Sequence, residues 1–167
     1  MPTALRSLFL LGGLVAVGAA FASPAHAQGA TSVGAGWVWP VGSLDDRYDR
    51  GIMLRGQQSF QLLILQVHLQ GGFTRLSGVE DAVIPDSQPR SVVPSADAAD
   101  MIHAGMGLRL GLGLGWVGGT AAYFIGDLED EVAYLPEVGV RLGPAELVGE
   151  FRLGDRRWAG LRAGITF

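Results

Sequence analysis

The sequence predicts an all-β fold, an eight-stranded antiparallel up-and-down transmembrane β-barrel, from three observations. The chain opens with an export leader. Its last residues alternate apolar with small or polar up to a terminal phenylalanine. Between these ends lie further alternating segments, joined by connections that are tight and long in turn.

The leader is expected over residues 1–27, and the barrel domain over 28–167. Arg6 supplies the positive start, and Leu8–Phe21 is an apolar stretch loosened by Gly12, Gly13 and Gly18. Ala25-His26-Ala27 is a small-residue cleavage site, so cleavage is expected near Ala27. The apolar run is short for a membrane anchor, and no later segment offers about 18 consecutive apolar residues. The chain has no cysteine, which excludes a lipidated cysteine and any disulfide framework. Its net charge is −4, and nucleic-acid binding, which needs a basic face, is not expected. The 26 glycines suit a small barrel, where glycine permits close packing and strand bending.

The segments read as 31–40, 51–61, 63–76, 101–111, 114–125, 132–142, 145–153 and 157–167. Each is close to the ~9–11 residues that a tilted strand needs to cross a hydrocarbon core. Tight reversals are expected around Gln61–Leu63, Leu112–Gly113 and Gly143–Pro144. The long or charged connections are Val41–Arg50, Ser77–Asp100, Gly126–Glu131 and Gly154–Arg156. Short turns on the periplasmic side and long loops outside are the rule for such barrels, so both termini are expected in the periplasm. The first reversal has no turn chemistry behind it: Arg55–Gly72 contains no Pro, Asn or Asp, and only length requires the chain to turn there. Pro136 removes a ladder donor and is expected near a bulge or the rim.

Alternation gives each strand one face without charge. It is Ile52, Leu54, Gly56 and Phe60 in the second, Ile102, Ala104, Met106, Leu108 and Leu110 in the fourth, and Ala159, Leu161, Ala163, Ile165 and Phe167 in the last. The opposite face carries Arg55, Gln57, Ser59, Gln66, His68, Gln70, His103, Arg109, Glu137, Arg141, Glu146, Glu150, Arg152 and Arg162. A soluble barrel of this size fills its interior with apolar groups. Here the apolar face must meet something outside the chain, and lipid is the simple answer. Trp37, Trp39, Phe73, Phe124 and Tyr134 are expected in an outer aromatic girdle, and Phe60, Trp116 and Phe167 in a periplasmic one.

Ser32–Leu54, reading SVGAGWVWPVGSLDDRYDRGIML, resembles the first hairpin of small bacterial outer-membrane β-barrel proteins, and the ending RRWAGLRAGITF is similar to their closing strand. The group includes the OmpA-type membrane domain and the OmpX-like barrels. The resemblance implies a location in the cell outer membrane. It also implies contact with outer-membrane lipid and lipopolysaccharide, insertion by the barrel assembly machinery through the C-terminal strand, and a monomer.

Arg55, His68, Glu137, Glu150 and Arg162 fall near mid-strand on the polar face and are expected to form a lumen network. An eight-stranded barrel is too narrow for an open channel, so buried charges there must pair. A structural or surface-interaction role is therefore expected; the alternatives are a small pore and a lipid A-modifying enzyme. The enzyme needs a nucleophile beside a base. His68 lies between Gln66 and Gln70, and His103 is followed by Ala104 and Gly105, so no catalytic residue is assigned. The Ser77–Asp100 loop, with Pro85, Pro89 and Pro94 among acidic residues, is either a solvated loop or a partner-binding surface. No acid spacing matches a calcium loop, and no metal or cofactor is expected.

Overall fold

A computed structural model describes residues 29–79, 97–128 and 130–167. The leader with its cleavage site, and the proline-bearing part of the Ser77–Asp100 loop, lie outside the described residues. The strands are β1 (Gly29–Val41), β2 (Tyr48–Leu62), β3 (Leu65–Gly78), β4 (Ala99–Leu112), β5 (Gly115–Gly126), β6 (Glu131–Leu142), β7 (Ala145–Arg152) and β8 (Arg157–Thr166). Each pairs antiparallel with the next, and β8 pairs with β1, so the eight strands form a closed up-and-down barrel.

Closure is what lets these strands stand in lipid. A free edge there would leave a row of unpaired backbone N–H and C=O groups. The seam is completed at the last residue, where the Phe167 N–H donates to the Thr31 carbonyl at 2.8 Å and the Thr31 N–H to the Phe167 carbonyl at 3.3 Å.

One end of the barrel carries the long connections, the other the tight turns, the start of β1 and the end of β8. Outside, the wall is apolar from the tight turns almost to the loops. Val33, Trp37, Ile52, Met106, Leu108, Val117, Val138, Leu147, Leu161 and Ile165 all face out and are exposed. Charge enters the outward positions only at the loop end, as at Arg75 and Asp100, which pair at 3.6 Å. The outward Thr31 hydroxyl and Gln58 amide satisfy each other at 2.6 Å. This is the exterior of a transmembrane barrel.

The tight turns share one geometry. Their first residues, Leu63, Gly113 and Gly143, have φ of 59°, 72° and 64°. A positive φ at the first of two turn residues is the signature of the hairpin turn that prefers glycine there. Leu63 is the exception, and the turn falls at Leu63-Ile64, at the end of the Gln61–Leu63 stretch where length alone had placed it. Pro136 departs from expectation more clearly. It is in mid-strand, where the β5 register runs on unbroken through Gly119↔Pro136. The adjustment falls on the other side: β6 and β7 pair through Glu137↔Glu150, and beyond Pro136 meet again only at Tyr134↔Leu153. A hollow of about 390 Å³ opens in the wall there, bounded by Pro136, Val138, Gly149 and Phe151. The ladder opens where proline has no N–H to give.

Two outcomes test these constraints. A leucine at positive φ costs roughly 1–2 kcal/mol, while a glycine costs about 0.5–1 kcal/mol of extra chain entropy. Leu63→Gly should therefore raise stability by about 0.5–1 kcal/mol in urea unfolding from lipid vesicles; lower stability would contradict the turn assignment. Deleting Phe167 removes both seam hydrogen bonds, and should lower the fraction of folded, heat-modifiable protein recovered from membranes. Unchanged recovery at native expression would show that the terminal pair is dispensable.

Candidate functional site in the barrel interior

Inward positions follow from the strand period of two, and they fill the lumen with side chains. At the loop end the filling is apolar. Val38, Met53, Leu76, Ala99, Met101, Ala122, Phe124, Ala133, Leu135 and Trp158 are buried together, and the connections add Leu44 and Leu128 from above. Alternation alone implies a polar inward face along the whole strand; toward the loops that face is apolar instead. The apolar residues sit on the inward phase of each strand, where they meet one another rather than lipid.

Below this plug the interior is charged. Arg55, His68, Glu137, Glu150 and Arg162, the five residues expected to form the lumen network, all point inward and are buried. Arg55 on β2 pairs across the lumen with Glu150 on β7, and its guanidinium also donates to the His103 ring, which stacks on Phe124 at 4.8 Å between centroids. Arg162 on β8 lies 3.4 Å from Glu150 and 3.7 Å from Glu137, and closer, 2.9 Å, to Glu146. Glu146 and Arg109 were on the polar face but outside the expected network, and the structure brings both in. Arg109 on β4 donates to Glu137 at 2.7 Å. Glu137 also accepts the Thr120 hydroxyl at 2.8 Å, and Thr120 in turn lies 2.8 Å from His68 Nε2. Thr120 has only one proton, so His68 carries its own on Nε2. The signal for Glu146 was register: β7 and β8 pair Glu146↔Gly164 and Val148↔Arg162, which places Arg162 diagonally across from both Glu146 and Glu150.

A separate pair lies at the loop end. Arg152 donates to Glu131, packs over the Phe124 ring at 4.1 Å, and approaches the Met101 sulfur at 3.7 Å. An arginine inside an apolar plug is held by its one carboxylate and by aromatic faces.

Two aromatic assignments are corrected. Trp116 is only 6% exposed and faces the lumen, and Phe124 lies in the apolar plug, so neither belongs to a girdle. The Trp116 ring lies under the Arg109 guanidinium, 3.8 Å from its centroid. The ring has room because its β6 neighbour is Gly139, where a Cβ would come within 2.5 Å of it. Of the other assigned girdle residues, Trp37, Trp39, Phe60, Tyr134 and Phe167 face outward and are exposed, and Phe73 faces outward half-buried. Among the described residues no group of His, Asp and Glu has the geometry to hold a metal ion.

No protein-family model matches the chain. No curated protein matches it either. Among solved structures it is similar to Neisserial surface protein A, at 16% identity and a TM-score of 0.46, covering 83% of this chain and 95% of that one. It is also similar to a de novo designed protein, TMB2.3, at 16% identity and a TM-score of 0.44, covering 84% and 93%. A porin matches at 20% identity and a TM-score of 0.33, with 82% of this chain aligned to 47% of the porin.

The ion pairs give a thermodynamic test. Removing one partner of a buried pair typically costs about 3–5 kcal/mol, because the other charge stays buried without compensation. Arg162→Met should cost that much in unfolding from lipid vesicles. Glu146→Gln in the Arg162→Met background should cost much less than alone, with a coupling of roughly 1–3 kcal/mol. Mild, additive effects would mean the two side chains do not pair. The closed interior of this small eight-stranded barrel is thus held by charges that bind its walls to one another.

Proposed function

We propose that the protein is an outer-membrane barrel with a structural or surface-interaction role, exerted by its wall and outside loops rather than by passage through its lumen. The observation that carries this reading is the filled interior. The apolar plug under Leu44 and Leu128 lies above the ion pairs of Arg55, Arg109 and Arg162. An ion crossing this lumen would have to displace paired charges and then leave water altogether at the plug. In the same proposal the leader is cleaved near Ala27, the tight turns face the periplasm, and the acidic loops face outward toward lipopolysaccharide. The barrel acts as a monomer inserted through its C-terminal strand by the barrel assembly machinery. Trp37, Trp39, Tyr134 and Phe167 sit at the lipid interfaces. No catalytic residue is assigned.

The test is single-channel recording after reconstitution into a planar bilayer. The chain should give no resolved conductance steps. Regular steps that respond to Arg55→Gln or Glu150→Gln would replace this reading with that of a small pore. Mass analysis of lipid A after incubation with the folded barrel covers the enzyme alternative, and should find no new species.

A further inference from the structure

The ion-pair network is not balanced. Arg55, Arg109, Arg141 and Arg162 face Glu137, Glu146 and Glu150, and any proton taken up by His68 or His103 would only add positive charge. The surplus falls at the turn end. Arg55 and Arg162 engage Glu150, Arg109 engages Glu137, and Arg162 takes Glu146 at 2.9 Å. Arg141 is left with a 3.8 Å approach to the remaining oxygen of Glu146.

The loosely paired Arg141 shares one space with Arg109, whose single carboxylate partner is Glu137. A cavity of about 200 Å³ opens among the turn residues at this end, lined by Arg109, Trp116 and Arg141 with the amides of Gln61 and Gln66. Each of the first three keeps a buried donor without a hydrogen-bond partner: Nε and Nη1 of Arg109, Nε1 of Trp116, and Nε of Arg141. Arg109 is fully buried, with 1% of its side chain exposed. Buried donors are normally paired. Arg55, Arg152, Trp158 and Arg162 also keep N–H groups without a hydrogen-bond partner elsewhere in the lumen, but those of Arg109, Trp116 and Arg141 belong to side chains that line a cavity with room for an acceptor. Surplus positive charge and N–H donors together describe a site for a planar or tetrahedral oxyanion, which guanidinium groups bind through paired N–H bonds.

We propose that this cavity binds a phosphate group, entering from the turn end. That the group comes from the periplasm rests on the sidedness proposed above; the site does not. A phosphate could be free or carried by a lipid headgroup, and the test separates these sources. The full chain is folded in phosphate-free dodecyl maltoside micelles and titrated by calorimetry, once with inorganic phosphate and once with a short-chain phosphatidylglycerol. Tryptophan emission is followed in parallel. Inorganic phosphate should saturate one site and shift the Trp116 component, a shift lost in Trp116→Phe.

Arg141 is partly exposed and only loosely paired, so Arg141→Gln should fold, and it should weaken binding by at least about tenfold, the size of one lost charge-assisted contact. Gln66→Glu, which places a carboxylate at the mouth, should abolish binding and carries the test alone if Arg141→Gln does not fold. Arg75→Gln removes the same charge from the outer wall and should leave binding unchanged. Saturation by the lipid alone, weakened by Arg141→Gln, assigns the phosphate to a headgroup at this site. No saturation by either probe, or binding indifferent to both mouth variants, overturns the proposal.

Discussion

Arg162 is the side chain on which the interior depends. From β8 it lies within ion-pair range of Glu146 and Glu150 on β7 and of Glu137 on β6. Two of those carboxylates are also held from further round the wall, Glu150 by Arg55 of β2 and Glu137 by Arg109 of β4. Adjacent strands are already joined by backbone hydrogen bonds, which fix the wall but not the shape of its cross-section. The pairs Arg55–Glu150, Arg109–Glu137 and Arg162–Glu137 join strands that are not neighbours and fix that as well. Whether they add net stability is a separate matter, since well-packed apolar groups of equal volume often do as well. What they do without doubt is make each member costly to lose.

The charges and the glycines of the lumen are two sides of one packing problem. Eight strands enclose a space just wide enough for side chains, and arginine and tryptophan are large for it. The chain meets this by facing large groups with glycine. Gly139 makes room for Trp116, and Gly160 lies where Met53, Trp158 and Glu150 converge. At both sites a Cβ would meet atoms already in place, so the glycines serve close approach and their backbone is ordinary strand. The interior is thus full by design of the sequence, and its polarity changes along the axis: apolar under the loops, charged at mid-depth, charged and partly hollow at the turns.

Much of this was legible beforehand, for a physical reason. A strand exposed to lipid on one face must alternate, and the alternation from Ile102 to Leu110 or from Ala159 to Phe167 has no other economical reading. The strand count, the order of tight and long connections, and the inward phase of Arg55, His68, Glu137, Glu150 and Arg162 followed from that period. What period two cannot report is what an inward residue meets. Trp116 and Phe124 were read by their nearness to strand ends, where girdle aromatics belong, although each lies on the inward phase of β5 with Thr120. Glu146 needed the register of β7 on β8, which depends on how the Gly154–Arg156 connection is made. Leu63 had no signal at all, because a leucine at positive φ violates the local preference by which turns are recognised.

The polarity gradient also fixes the direction in which the interior can communicate. A charged group moving toward the loops would have to leave its partners and enter a region built from Val38, Met53, Leu76, Leu135 and Trp158. There Arg152 is tolerated only with Glu131 and an aromatic face beside it. Moving toward the turns, the same group meets amides, unpaired N–H donors and then bulk water. Desolvation therefore makes the loop end a barrier and the turn end an entrance, with no moving part required. On the function proposed here, such a barrel is closed along its axis at the loop end and yet has an accessible interior on the other side. This is why a filled lumen and a small binding site at its mouth are compatible features of the same arrangement of arginines.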